Sequence, residues 1–322
     1  MNKKLEKSSY INKMGGEANS QISVIPTLHP WFVTGFADGE GSFGIYFSKK
    51  SGYQSGYQLK YEFTIALHKK DQALLENIKL SSFNGAGGID KHGEDSVHYR
   101  VSSLKDVSLI VAHFDKYPLT TQKWADYQLF KRVLQLVQGK EHLTTDGFRE
   151  ILSIRASMNQ GLSDSLKEAF PGIIPVERPK VEDQKILDPN WLVGFVEAEG
   201  CFYVDLASSS VKVGERVQLR FKITQHNRDV SLMKSLVKYL ACGNVYTKSS
   251  VPVMDYEVKK FADLTEKIIP FFKNYPLQGV KKQNFEDFCK VASLIKSGAH
   301  LTESGLAEIR KIKSEMNSQR KP

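Results

Sequence analysis

The 322-residue chain is 41% hydrophobic, with a formal charge of +9 and a pI near 9.2, a balance that suits a polyanionic partner. Its three cysteines, Cys201, Cys242 and Cys289, are too few and too scattered for a disulfide framework or a zinc knuckle. No apolar run is long enough to cross a bilayer, so no membrane role is expected, and the length favours two domains.

Residues 1–28 are polar, lack the apolar core of a secretory signal and carry acids but no arginine. They are expected to form a flexible arm. A first unit is expected over 29–169. It opens with Val33-Thr34-Gly35-Phe36-Ala37-Asp38-Gly39-Glu40-Gly41, an apolar stretch with small residues at Gly35 and Gly39, four apart and hence on one face of a helix. Gly41 suits a C-terminal cap. From Ser42 to Phe47, apolar Phe43, Ile45 and Phe47 alternate with Ser42, Gly44 and Tyr46, which is strand periodicity. A glycine-bearing turn over 51–56 leads to a second strand with Tyr57, Leu59, Tyr61, Phe63 and Ile65 on one face and Gln58, Lys60, Glu62 and Thr64 on the other. A helix over 71–80, short strands near 88–92 and 98–102, and further helices complete this unit.

Residues 170–190 contain Pro171, Pro175, Pro179 and Pro189 among charged residues and read as a linker. Beyond it, a second unit over 191–322 repeats the first. Leu192-Val193-Gly194-Phe195-Val196-Glu197-Ala198-Glu199-Gly200 matches the opening phrase, with Gly194 and Ala198 as its small face, and Glu199 follows Glu40 by 159 positions. The alternation returns with Val217, Leu219, Phe221 and Ile223 against Gln218, Arg220, Lys222 and Thr224. A helix over 229–240 and strands near 245–248 and 255–259 follow. Tyr117-Pro118-Leu119 recurs as Tyr275-Pro276-Leu277, and His142-Leu143-Thr144 as His300-Leu301-Thr302. The expected fold is α+β: two pseudo-symmetric αββαββα halves, each an antiparallel sheet with helices on one face.

Glycine and alanine faces let two helices approach closely, so the two motif helices are expected to pair and to hold Glu40 and Glu199 side by side. Neighbouring carboxylates repel unless a cation lies between them, and hard oxygen ligands suit Mg²⁺.

These two motifs resemble those of the single-chain LAGLIDADG homing endonucleases, most nearly the forms encoded in fungal mitochondrial introns. The resemblance covers roughly residues 30–320 and implies a monomeric, site-specific endonuclease that cuts both DNA strands and leaves 3′ overhangs. It implies that Glu40 and Glu199, with the backbone at Gly39 and Ala198, bind the catalytic metals. Mg²⁺ is the implied cofactor, with Mn²⁺ as an alternative and Ca²⁺ supporting binding without efficient cleavage. A polar residue at the end of the second strand and a nearby lysine serve the family's chemistry. Gln225 and Lys248 are the candidates in the second half, whereas the first half has Leu67 and either Lys91 or His92. The two cleavage sites are therefore expected to be chemically unequal.

The uncovered sheet faces are expected to form a basic saddle on duplex DNA, since strands can read base edges in the major groove. The candidate contacts are Ser42, Gly44, Tyr46, Ser48, Lys60, Glu62, Thr64, Arg100 and Ser102 in the first half. In the second they are Tyr203, Asp205, Gln218, Arg220, Lys222, Thr224 and Lys259. One turn per sheet gives an asymmetric target of roughly twenty base pairs. Asp38 and Glu197 point to another side of their helices, while Lys123 and Lys281 either touch phosphate or simply open a helix. Organelle-encoded origin and a mitochondrial location are expected. An intron RNA maturase or a non-cleaving DNA-binding protein are the alternatives.

Overall fold

The computed structural model describes residues 27–209 and 214–320. The expected arm lies outside the described residues except for Thr27 and Leu28, and Leu28 is buried in the core. The first half runs α1 (Pro30–Glu40), β1 (Gly41–Lys49), β2 (Tyr57–His68), α2 (Gln72–Phe83), β3 (Gly88–His92), β4 (Ser96–Val101), α3 (Leu104–Lys116), α4 (Lys123–Gln138), α5 (Thr145–Ala156) and α6 (Asp164–Ala169). The second half repeats it with α7 (Pro189–Glu199), β5 (Gly200–Ser208), β6 (Glu215–His226), α8 (Val230–Leu240), β7 (Asn244–Thr247) and β8 (Val253–Val258). There follow α9 (Phe261–Asp263), a π turn over Leu264–Ile268, α10 (Ile269–Asn274), α11 (Lys281–Lys296) and α12 (Glu303–Ser314). Pro270 has no N–H to give, and the helix that is continuous as α3 in the first half passes through the π turn here.

Both sheets are antiparallel, in the orders β1-β2-β4-β3 and β5-β6-β8-β7. Alternation sends Phe43, Ile45, Phe63, Ile65, Val97 and Tyr99 under the helices, where all are buried. The opposite face of each sheet remains uncovered, as an antiparallel sheet permits. β4 begins at Ser96 and ends at Val101, so Ser102 falls just past the strand, and Lys259 likewise follows β8.

The motif helices start alike, with Pro30 and Pro189 in the first turn, and with His29 Nδ1 accepting from Trp31 N at 3.3 Å and Asp188 accepting from Asn190 N at 2.7 Å. Their contact is backbone on backbone. A Cβ on Gly35 would stand 1.9 Å from the Trp191 carbonyl oxygen, and one on Gly194 would stand 1.9 Å from that of Phe32. Both terminal glycines take the expected C-cap position. Gly41 (φ −71°, ψ 148°) and Gly200 (φ −83°, ψ 155°) are extended rather than left-handed, because each chain turns directly from helix into strand. Glycine is needed there for room: a Cβ would meet the Ala37 oxygen at 2.7 Å or the Val196 oxygen at 2.8 Å.

The proline-rich connection is pinned as well as extended. Arg178 makes a bidentate pair with Asp126 at 2.7 and 2.9 Å, and buried Gln184 donates to the Thr120 oxygen and to Asp229 Oδ1.

Candidate active site at the paired motif helices

The close helix approach carries Glu40 and Glu199 to one end of the molecule's central seam. A Cβ on Gly39 would lie 2.3 Å from the Ala198 Cβ and 3.5 Å from Glu199 Oε1, so the Glu199 carboxylate rests over the backbone of the other motif. Burial raises the pKa of Glu40, the nearby Glu199 charge raises it further, and Lys123 and Lys281 oppose both. Burial likewise raises Glu199, against Lys123, Lys281 and a hydrogen bond from Gln225.

The two lysines are the residues that sequence reasoning left undecided. Lys123 Nζ donates to the carbonyls of Ala37 (2.9 Å) and Gly39 (2.8 Å), while Lys281 Nζ donates to those of Val196 (3.0 Å) and Ala198 (3.2 Å). Each ammonium thus satisfies the free carbonyls where a motif helix ends, and sits beside both glutamates. Burial lowers Lys123 to about 8 and also lowers Lys281.

The other motif acids hold these lysines in place. Asp38 is buried and accepts from Thr120 N (2.9 Å), Thr121 N (3.0 Å), Thr121 Oγ1 (2.6 Å) and Trp191 Nε1 (2.7 Å). Glu197 accepts from Gln278 N at 2.9 Å. Asp229 of the second half accepts from Gln122 N at 2.7 Å, and Asp71 of the first half accepts from Val280 N at 3.4 Å. The amides leading into α4 and α11 are therefore held by carboxylates from both halves, so each lysine's position depends on the correct docking of the two halves. His68 and His226 each cap the short turn that follows their strand, consistent with a structural role.

Gln225 reaches the site: its Oε1 accepts from His226 N at 2.8 Å while its amide hydrogen-bonds Glu199. Leu67, opposite Val97 as Gln225 is opposite Met254, occupies the equivalent register place in the first half and offers no polar group. A cavity of about 460 Å³ opens there, lined by Glu40, Leu67, His68, Asp71, Ser96 and Lys281. Lys248 is not brought to the carboxylates. It follows β7 and pairs with Asp255 at 3.3 Å, because the strand edge directs it to its neighbour on β8. The lysines beside Glu40 and Glu199 are Lys123 and Lys281, each on a helix.

Among the described residues no three His, Cys, Asp or Glu side chains converge. Two half-buried, mutually repelling carboxylates with adjacent backbone carbonyls nonetheless fit Mg²⁺, which keeps several waters and takes one or two carboxylates plus substrate phosphates. The carbonyls of Gly39 and Ala198 already accept from the lysines.

The uncovered strand faces hold the expected residues in register: Ser42 opposite Thr64, Gly44 opposite Glu62, Tyr46 opposite Lys60 and Ser48 opposite Gln58. In the second half Tyr203 faces Arg220 and Asp205 faces Gln218. The face is charge-paired rather than simply basic. Arg100 binds Glu62 at 3.1 Å, Arg220 binds Asp205 and Glu257, Lys222 lies 3.8 Å from Asp255, and Lys259 binds Glu257 at 2.7 Å. Asp255 and Glu257, which share strand parity with Lys259, were the signal that sequence reasoning passed over. Thr224 donates to Asp255 at 2.7 Å.

The family model described as LAGLIDADG endonuclease matches residues 33–134 and 192–292. The chain belongs to the LAGLIDADG endonuclease family. Similar proteins in this family include the probable intron-encoded endonuclease 3 of Neurospora crassa, 40% identical over 284 residues (88% of this chain and 53% of that protein). Probable intron-encoded endonuclease 2 of the same fungus is 39% identical over 301 residues, covering 90% of this chain and 65% of its own length. The chain thus spans between about half and two-thirds of these relatives. The LAGLIDADG homing endonuclease I-SmaMI bound to cleaved DNA has a similar structure, with a TM-score of 0.90 and 45% identity over 91% of this chain and 98% of that one. I-SmaMI bound to uncleaved target with calcium ions gives 0.88 and 45%, over 90% and 99%.

Proposed function

We propose that this LAGLIDADG chain is a monomeric, site-specific endonuclease that hydrolyses both strands of an asymmetric duplex of roughly twenty base pairs and leaves 3′ overhangs. The observation that carries the reading is the convergence of Glu40, Glu199, Lys123 and Lys281 where the two motif helices end, between two uncovered strand faces. Duplex lying across both faces brings its backbone to these groups. Similarity to I-SmaMI, with DNA bound in both structures above, supports a DNA partner. The intron-encoded relatives support an intron as the origin, and the reading takes that intron to be mitochondrial.

Glu40 and Glu199, with the backbone at Gly39 and Ala198, would hold Mg²⁺. Bound there, it would stabilise charge on a phosphodiester under in-line attack by water. The protein's own groups supply the remainder. Lys123 and Lys281 place positive charge beside the reacting phosphates, and Lys123, lowered to about 8, can yield a proton nearer neutrality than a surface lysine. Gln225 orients Glu199 in one half, while Leu67 leaves Glu40 without that support in the other. The two strands are therefore cut at unequal rates. DNA binding requires phosphates to exchange with the ion pairs of Arg100, Arg220 and Lys259, making affinity salt-dependent.

The test is selection of cleaved molecules from a randomised duplex library in Mg²⁺, with Ca²⁺ as a binding control. Recovery of one long asymmetric site cut on both strands supports the reading. Enrichment by binding with no cutting in Mg²⁺ or Mn²⁺ would overturn it in favour of a DNA-binding protein.

A further inference from the structure

Beyond Gln225 and Leu67, the two pseudo-equivalent sheets differ in chemistry at the β3–β4 edge. His92 ends β3, and His98 lies on β4 opposite Asp90 and Ala66. Their rings stack with centroids 3.9 Å apart and an interplanar angle of 18°. In the second sheet Asp255 faces Thr224 as His98 faces Ala66, and Lys248 follows β7 where His92 ends β3. There the groups satisfy one another: Lys248 lies 3.3 Å from Asp255, Thr224 donates to it at 2.7 Å, and Lys222 stands 3.8 Å away. Ala66 and Thr64 replace Thr224 and Lys222 in the first half, so that network has no counterpart.

Among the described residues, neither imidazole hydrogen-bonds a protein group; the stack is their principal contact. His92 is exposed and His98 half-buried, on the same uncovered face as Arg100, Glu62 and Thr64. Unspent imidazole edges on a strand face that meets a polyanion are available ligands for it.

The surrounding charges define what they can hold. Burial, then the neighbouring His92 and the Arg100 guanidinium, keep His98 below the ordinary imidazole range, with Glu62 acting against them. Glu62 on β2 is shared with Arg100 of β4 at 3.1 Å, and Asp90 of β3 stands opposite His98. Lys60 lies further along β2. The turn over 93–95 adds Glu94 and Asp95, the latter paired with Lys69 at 2.6 Å, and His68 ends β2 opposite Ser96. Two charged imidazoles in a stack repel, so a proton on one ring disfavours a second on the other.

We propose that the His92–His98 pair is a DNA-phosphate contact of the first half that binds the backbone together with one proton, and that the second half has no equivalent proton-linked contact. This rests on the DNA-binding reading above. Phosphate near the stack favours the protonated form, so binding and proton uptake reinforce each other. Affinity therefore strengthens as pH falls through the range between the imidazole's free and bound states.

Phosphate contact is independent of sequence, so the probe is a fluorescein-labelled, mixed-sequence duplex of about three helical turns, titrated by anisotropy in Ca²⁺ at constant ionic strength from pH 5.5 to 8. The parent is expected to weaken with rising pH by up to about tenfold per pH unit, the limit for one proton. The His92→Gln/His98→Gln variant should lose that slope, and Lys248→Gln should keep it. Calorimetry in buffers of different ionisation enthalpy should read the uptake of up to one proton in the parent and correspondingly less in the double variant. A double variant with the parent's slope, or a parent whose affinity is flat with pH, overturns the proposal while leaving the nuclease reading intact. A parent that binds no duplex at any pH overturns both.

Discussion

Replacing Gly194 by alanine tests whether the paired motif helices truly touch through their backbones. In an ordinary helix interior, glycine to alanine stabilises by about 1 kcal/mol. Here the added Cβ would lie 1.9 Å from the Phe32 carbonyl oxygen and 2.8 Å from Phe36 N. Ordinary van der Waals contact begins near 3.4 Å, so α1 and α7 must part by about 1.5 Å. Overpacking of this kind costs about 1–3 kcal/mol, and parting the helices also loosens Gly39 from Ala198. The expected net destabilisation is about 2 kcal/mol, opposite in sign to propensity, read as a lower urea midpoint at unchanged slope. Gly139→Ala is the control. Its φ is −72°, and its nearest obstacle is the flexible Glu141 carboxylate at 3.0 Å, so stability should stay within about 0.5 kcal/mol of the parent. If Gly194→Ala is as stable as the parent, the backbone contact is not as described.

Asp38→Ala strands buried donors at Thr120, Thr121 and Trp191 and should cost about 3 kcal/mol in urea unfolding; Asp38→Asn should cost less, and equal losses would contradict the hydrogen-bond account. Lys123 loses its proton near pH 8 when folded but only near 10.5 when unfolded. The unfolded chain therefore binds more protons between these values, and stability contributed at this position rises with pH across that window. The parent should accordingly gain stability relative to Lys123→Met between pH 8 and 10, and a difference independent of pH would remove the desolvation argument. Leu67→Gln gives the first half the amide that Gln225 supplies in the second; plasmid cleavage should accumulate several-fold less nicked circle, whereas Gln225→Leu should slow the second half's strand.

Much of the fold was legible because the motif and the strand alternation are local and occur twice. The pairing of α1 with α7 followed from Gly35, Gly39, Gly194 and Ala198, and the helix-covered face of each sheet from alternating residues such as Phe43, Ile45 and Phe63. What escaped depends on contacts between residues far apart in sequence. Lys123 reaches Gly39 across 84 positions, and nothing near Tyr117-Pro118-Leu119 announces that. Asp38 and Glu197 look like solvated helix residues until the amides before α4 and α11 fold over them. Gly41 and Gly200 do cap their helices, as the motif suggested, but their extended backbone was not legible, because it follows from the chain entering a strand at once. Lys248 was placed by the family resemblance, and its neighbours in sequence gave no hint of Asp255 across the strand pair. The faces were read as basic although Glu62 and Asp205 were among the candidate contacts; Asp255 and Glu257 stood on the same face, visible by parity.

The most direct test of the account compares the parent with Glu40→Gln and Glu199→Gln on the selected duplex, measuring binding in Ca²⁺ and strand cleavage in Mg²⁺ on the same preparations. Removing one of two repelling half-buried carboxylates should leave folding and DNA affinity near the parent's while reducing cleavage by at least about a hundredfold, as expected for groups acting on the reacting phosphate. Variants that cut both strands at the parent's rate would show that the chemistry lies elsewhere.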